Sequence, residues 1–289
     1  MATLGQWAEG ARPRTLPAAI APVVVGTGLA INADSLRIGR ACLALVVALA
    51  LQIGVNFAND YSDGIRGTDN KRVGPVRLVG QGMASPRNVR LAAFIAFGIA
   101  CLAGLALVIA TQAWWLLIVG VACVSAAWLY TGGPKPYGYH GLGEVFVLIF
   151  FGLVPVVGTY FVQTGAITLA AVIASIGVGT LACAVLVTNN LRDLPSDQQA
   201  GKNTLAVRIG VQRTRTLYVV CIITTAITTL STAVLTSWLV LLALAILIIA
   251  PIRLILSGAT GPALIPALKQ TGLLVLFYGL GMGILIALA

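Results

Sequence analysis

Two short polar strings interrupt an otherwise apolar chain: Asn56-Phe-Ala-Asn59-Asp60-Tyr-Ser-Asp63 and Asn189-Asn190-Leu-Arg192-Asp193-Leu-Pro-Ser-Asp197. The chain has eight Asp and Glu residues in all, and half of them are Asp60, Asp63, Asp193 and Asp197. Carboxylates are costly near hydrocarbon, so their concentration at the ends of apolar segments marks a site. Oxygen donors in this number suit Mg²⁺, which binds through a few carboxylates plus substrate phosphates. Residues three or four apart share a helix face. Asn56, Asp60 and Asp63 therefore form one stripe, and Asn189, Asp193 and Asp197 a second, with Pro195 a point of disturbance in its last turn. Two opposed carboxylate stripes repel unless cations lie between them, and Mg²⁺ ions bridged by a diphosphate supply that compensation. A single Asp at a helix end reads as a solvated cap. Two clusters, each with an Asn upstream on the same face, read instead as a metal–diphosphate site, with the four aspartates as metal ligands.

Cations stand beside both strings. Arg66, Lys71 and Arg72 follow the first, and Arg192 and Lys202 flank the second. Such groups hold non-bridging diphosphate oxygens and stabilise a departing anion. The candidate catalytic set is Asp60, Asp63, Asp193, Asp197, Arg66 and Lys202, with Asn56, Asn189 and Arg192 as binding groups. Arg14, with Arg12, precedes a Leu-Pro helix start, and two readings stand for it: a cap on the cavity, or an anchor for the helix.

These strings need apolar elements to carry them. Of 289 residues, 59% are hydrophobic and 9% charged, with a mean hydropathy of +0.99. Soluble domains carry about a quarter charged residues. Apolar runs cover approximately 15–33, 38–58, 89–110, 113–131, 142–163, 166–190, 214–233, 236–256 and 268–288. The expectation is an all-α polytopic membrane bundle of about nine transmembrane helices. With nine spans, all of the eighteen Lys and Arg residues except Arg37 and Arg40 fall on one side. That asymmetry predicts a cell-membrane protein whose N-terminus and active-site loops are cytoplasmic. The net charge of +10 has no basic helix or soluble module to present it, so no nucleic-acid partner is expected. None of the five cysteines forms a C-x-x-C pair, and all lie in apolar runs as small hydrophobes. Asn56-x-x-x-Asp60 echoes Asn189-x-x-x-Asp193, and Val76-Arg77-Leu78-Val79-Gly80 echoes Val207-Arg208-Ile209-Gly210. A single domain of two related halves, about 1–135 and 136–289, is expected, with polar ends facing each other.

The strings Asn56-x-x-x-Asp60-x-x-Asp63 and Asn189-Asn-x-Arg192-Asp193-x-x-x-Asp197-x-x-x-Gly201-Lys202-x-Thr204-Leu205 resemble the motifs of the UbiA-type intramembrane prenyltransferases. The segments Ala11–Pro17, Tyr130–Pro136, Gly141–Glu144 and Gly201–Leu205 resemble, within that superfamily, the branch acting on 1,4-dihydroxy-2-naphthoate in menaquinone synthesis. The resemblance implies a helical bundle around a central cavity open to the lipid bilayer, and Mg²⁺ as cofactor. It implies a polyprenyl diphosphate donor and a 1,4-dihydroxy-2-naphthoate acceptor, joined with loss of diphosphate and carbon dioxide to give demethylmenaquinol. For the acceptor, Lys135, Tyr139 and Glu144 are candidates, Lys135 for the carboxylate. Glu144 has two readings: it orients or deprotonates a ring hydroxyl, or it favours a helix N-terminus through the dipole. One position departs from the superfamily pattern. Gly67 stands where many members have a third Asp, and Asp69 follows two residues later. Two rival functions share these features: prenyl transfer to another aromatic acceptor, and secondary transport. Transport sites lie near mid-bilayer, whereas these clusters lie at helix ends.

Overall fold

The computed structural model describes residues 2–67, 76–232 and 237–289. Asp69, Lys71 and Arg72 lie outside the described residues. The described chain is all-helical: α1 (Leu4–Gly10), α2 (Pro17–Asn32), α3 (Ile38–Ile65), α4 (Pro86–Thr111), α5 (Leu116–Leu129), α6 (Gly143–Leu148), α7 (Val154–Thr164), α8 (Leu169–Gln199), α9 (Leu205–Thr232), α10 (Ser237–Leu256) and α11 (Ile265–Leu288). Six of the described spans are long and apolar enough to cross a membrane, and a seventh counts if the pair Leu4–Thr15 and Pro17–Asn32, bent by 51°, is one span. Two shorter apolar helices cover Leu116–Leu129 and Leu241–Leu256. The outer faces carry Leu102, Ile118, Val121 and Ile246, all more than half exposed. Such faces suit hydrocarbon rather than water. The protein is a multi-pass membrane protein.

Several elements outrun the apolar runs that announce them. α3 continues to Ile65 and α8 to Gln199, through Pro195. Both carry their polar strings as extra helical turns. The run at 142–163 is two helices joined through a π turn over Ile149–Leu153. α9 begins at Leu205, before the apolar run, and its axis breaks at Gly210, where φ is 80°. That left-handed backbone suits glycine.

α8 is the spine: its apolar window is 61% buried, the highest share among the six spans. Lipid tails are as apolar as leucine, so helices in a bilayer adhere through close contact and interhelical hydrogen bonds. Both devices are present. Tyr218 and Thr271 hydroxyls meet at 3.0 Å, Thr229 and Tyr278 at 2.9 Å, and Thr180 and Thr225 at 2.9 Å. α2 crosses α11 so closely that a Cβ on Gly28 would lie 2.2 Å from the Gly283 carbonyl oxygen. Gly152 in the π turn touches Gly179 of α8 in the same way, at 2.6 Å. Arg40, one of the two cations set apart from the other sixteen, donates to the Val162 carbonyl at 2.8 Å and the Ala110 carbonyl at 2.6 Å. It therefore satisfies carbonyls near the C-termini of α4 and α7, where cations are favoured.

Gly28→Leu is expected to force α2 from α11 and lower stability by about 1–3 kcal/mol or more. Gly39→Leu, with nothing within 4 Å of its Cβ, should change little. Thermal unfolding in detergent compares them, and equal melting temperatures for the two variants contradict the crossing.

Candidate active site

A cavity of about 1390 Å³ runs into the bundle, walled mainly by apolar side chains from α2 to α8 and α11. Its polar wall gathers where α3 and α8 finish and α2 and α11 begin. Among the described residues, six basic side chains (Arg12, Arg14, Arg77, Arg192, Lys202, Lys269) and three carboxylates (Glu9, Asp63, Asp197) line it. The lining thus carries an excess of three positive charges, next to apolar walls that sharpen the field. An anion with a long apolar tail matches both parts.

The end of α3 divides its string between two tasks. Successive helix residues turn by about 100°, so Asn56 and Asp63 sit within about 20° of one direction, while Asp60 lies about 60° from Asp63. Asn56 and Asp63 line the cavity and Asp60 does not. Asp60, 1% exposed, accepts the Leu78 amide at 2.7 Å and the Val79 amide at 3.1 Å. It fastens the turn that brings Arg77 to the cavity. Asn56 donates to the Thr15 hydroxyl and to the Ala11 carbonyl, each at 2.9 Å. Gln52 also donates to the Thr15 hydroxyl, at 2.7 Å, and that hydroxyl donates to the Arg12 carbonyl at 2.9 Å. Arg12 itself has left-handed backbone, φ 55°. This knot seats the Arg12–Arg14 turn on α3 and holds both guanidinium-bearing residues at the cavity.

Asp63 is 2% exposed. It accepts from the Tyr139 hydroxyl at 2.5 Å, and Lys202 Nζ lies 3.4 Å from the same oxygen. Lys202 Nζ also stands 4.6 Å from the centre of the Tyr139 ring, and the Arg66 guanidinium 5.6 Å from it. The Tyr139 carbonyl accepts the Asn203 amide at 3.0 Å. Tyr139 is therefore the clasp between α3, the 137–140 turn and the loop after α8. Arg66 does not line the cavity; it donates to the carbonyls of Thr131 and Gly133, and the Thr131 hydroxyl donates to Asn59 at 2.7 Å.

At the end of α8, Arg192 sets the arrangement. Its Nε and Nη2 each reach an Asp193 oxygen at 2.7 Å, and Nη2 also meets Asn189 Oδ1 at 2.7 Å. Arg192, Asn189 and Asp197 line the cavity; Asp193, gripped from one side, does not. Lys135 is exposed and off the cavity wall. Glu144 is buried and also off the wall, its Oε1 accepting from Asn190 at 3.0 Å. Burial, then the neighbouring Tyr130, push the Tyr137 phenol well above its ordinary pKa. It stays protonated and donates to the Ala126 carbonyl at 2.8 Å.

Mg²⁺ is the ion this donor set must be tested against. Among the described residues no three His, Cys, Asp or Glu side chains are grouped to cage a metal. The four aspartates do not converge on one point. Asp63 and Asp197 do share the cavity wall. Mg²⁺ ordinarily takes one or two carboxylates and completes its octahedron with water and substrate phosphates. The residues present fit that mode.

Sequence reasoning passed over several wall residues. Asn190 stands beside the chosen Asn189, and Lys269 and Arg77 read as topology charges only. Phe146, Phe150 and Phe151 also line the cavity. Phe150 and Phe151 lie in the π turn, which nothing in the local sequence announces.

The sequence matches the profile of the UbiA prenyltransferase family over residues 19–261. Proteins named 1,4-dihydroxy-2-naphthoate octaprenyltransferase are 49% identical in Mycobacterium leprae, over 100% of this chain and 98% of that protein, and 50% identical in Mycobacterium tuberculosis, over 98% and 97%. A UbiA homologue from Archaeoglobus fulgidus, solved bound to DMAPP and Mg²⁺, shares the fold with a TM-score of 0.70 at 15% identity, over 98% of this chain and 100% of that one.

An amide in place of the Asp60 carboxylate cannot accept from both backbone N–H groups. Asp60→Asn is expected to destabilise the protein by about 1–3 kcal/mol. A melting temperature equal to wild type would contradict the role given to Asp60.

Proposed function

Because the chain belongs to the UbiA prenyltransferase family, we propose that it transfers a polyprenyl group from polyprenyl diphosphate to 1,4-dihydroxy-2-naphthoate. Carbon dioxide and diphosphate leave, and demethylmenaquinol forms. The observation that carries this is the two-part cavity: a long apolar chamber ending in a wall with excess positive charge. The names of the full-length relatives support the choice of acceptor.

The donor's tail lies along the apolar walls, and its diphosphate meets Lys202, Arg192, Arg14 and the neighbouring cations. Asp63 and Asp197, with the Asn189 amide beside them, are the groups that would hold Mg²⁺. When bound, the ion neutralises the diphosphate and makes it a better leaving group. Asp60 and Asp193 act behind them, Asp60 by holding the Arg77 turn and Asp193 by aligning Arg192. As the allylic carbon–oxygen bond breaks, its electron pair leaves with the diphosphate, and the cationic wall stabilises that charge where it develops. The apolar walls of the chamber keep water from the allylic cation, and the faces of Phe146 and Phe150 offer it π density. The ring carbon bearing the carboxylate forms the new carbon–carbon bond. The carbon–carboxylate bond then breaks, and its electrons restore the aromatic ring. Lys135 is exposed and off the cavity wall, so the acceptor's carboxylate is not assigned to it.

We take the shorter helices α2, α5 and α10 as spans as well, making nine with α6 and α7 as one. The single domain is then two related halves, about 1–135 and 136–289, with α3 and α8 as counterparts. The charge asymmetry along the sequence supports placement in the cell membrane with the N-terminus and the cavity's charged end at the cytoplasmic face.

Purified protein in detergent is expected to convert polyprenyl diphosphate and dihydroxynaphthoate to the decarboxylated product only with a divalent ion, as read by product mass and released carbon dioxide. Product that keeps the carboxylate contradicts the acceptor assignment, and undiminished turnover in EDTA contradicts the role of Mg²⁺. Asp63→Asn and Asp197→Asn should each lower kcat by about 100-fold or more. Lys202→Ala should raise the donor KM about tenfold. Normal donor kinetics in that variant would confine Lys202 to a topological role.

A further inference from the structure

Glu144 is 9% exposed, and Asn190 is 7% exposed. Glu144 Oε1 accepts from Asn190 Nδ2 at 3.0 Å. Glu144 Oε2 is fully buried and meets no donor among the described residues. Cys183 Sγ of α8 donates to the Glu144 carbonyl at 3.1 Å, which ties α6 to α8 at this point. Only Asn190 of the pair lines the cavity. Because Glu144 Oε1 takes the Nδ2 hydrogen, the NH₂ end of the Asn190 amide is the end that faces it. What the amide then offers a ligand as acceptor is Oδ1. The same cavity wall carries Tyr130, Tyr137 and Phe146, and a Cβ on Gly143, next to Glu144, would lie 3.2 Å from Leu186, one turn before Asn190, and 3.7 Å from the Tyr130 ring. The Tyr137 and Phe146 rings stack with centroids 3.9 Å apart, and Tyr130 meets Tyr137 edge-on at 5.4 Å. Gly138 makes room for this group: a Cβ there would lie 2.7 Å from the Tyr130 carbonyl oxygen. Flat aromatic walls beside one oriented hydrogen-bond acceptor suit a flat hydroxylated arene.

We propose that Asn190 Oδ1 receives a ring hydroxyl of the aromatic acceptor, and that Glu144 is the positioning residue that holds the Asn190 amide in that orientation. This rests on the prenyl-transfer reading above and assigns the acceptor end of that cavity. Glu144 does not touch the substrate and moves no proton. A site built to bind a hydroxyl discriminates against an analogue that lacks it.

The test is steady-state kinetics of the full chain in detergent, with competitive inhibition by 1-hydroxy-2-naphthoate and 4-hydroxy-2-naphthoate. Asn190→Ala is expected to raise the acceptor KM about fivefold or more, while the donor KM stays within about twofold. It should weaken only the inhibitor that keeps the bound hydroxyl, abolishing the wild type's preference between the two. Glu144→Ala should act in the same direction, and adding it to Asn190→Ala should cost little more. Glu144→Gln keeps an amide oxygen facing Asn190 Nδ2 and should stay within about twofold of wild type. The Asn190→Ala and Glu144→Gln arms stand even where Glu144→Ala does not fold. An unchanged acceptor KM in Asn190→Ala, or a loss of kcat of about 100-fold in Glu144→Gln, overturns the proposal. Wild type that fails to prenylate dihydroxynaphthoate overturns the functional reading itself, whereas normal wild-type turnover with an indifferent Asn190→Ala overturns this inference alone.

Discussion

A charge drawn out of water into an apolar bundle is tolerated only where another charge or hydrogen bond meets it, at a cost of several kcal/mol otherwise. The ends of α3 and α8 are arranged around that requirement. Asp60 is met by two backbone amides, Asp193 by Arg192, and Asp63 by Tyr139 and Lys202. The pairings of Asp60 and Asp63 also fasten one chain segment to another. The Leu78 turn is tied to α3, the 137–140 turn to α3, and the loop after α8 to both. The electrostatic demands of buried carboxylates thereby build the wall that carries the cavity-facing cations.

That wall is not neutral. Among the described residues its three carboxylates are outnumbered by six cations, and that excess favours an anion. The apolar remainder of the cavity makes the preference more specific: the anion must carry a large hydrophobic group. Close helix crossings at Gly28–Gly283 and Gly152–Gly179 and hydroxyl pairs between helices hold the bundle around this chamber, which no central side chain fills.

The sequence carried much of this openly. Apolar run lengths marked the helical segments, and eight carboxylates in so apolar a chain pointed straight to α3 and α8. Helical spacing also placed Asn56 and Asp63 on one face. It was less informative about competition. Arg192 is adjacent in sequence to Asp193 and takes up both of its oxygens, and the Leu78 and Val79 amides claim Asp60 from eighteen and nineteen residues away. Contacts of that kind depend on tertiary packing. The same holds for Asn190, whose partner Glu144 lies on another helix, and for Phe150 and Phe151, which reach the cavity wall from the π turn. Arg40 shows a topological count hiding a local purpose, because it serves the ends of two helices.

On the proposed reading, the charged end of the cavity grips a prenylated diphosphate through Asp63, Asp197 and a divalent ion. The affinity of a non-reactive prenyl thiodiphosphate, measured by calorimetry with Mg²⁺ and again in EDTA, tests it most directly. The account predicts binding that weakens about tenfold or more without the ion and that Asp63→Asn or Asp197→Asn weakens in the presence of Mg²⁺. Equal affinity in EDTA, with both variants binding as wild type, would contradict it.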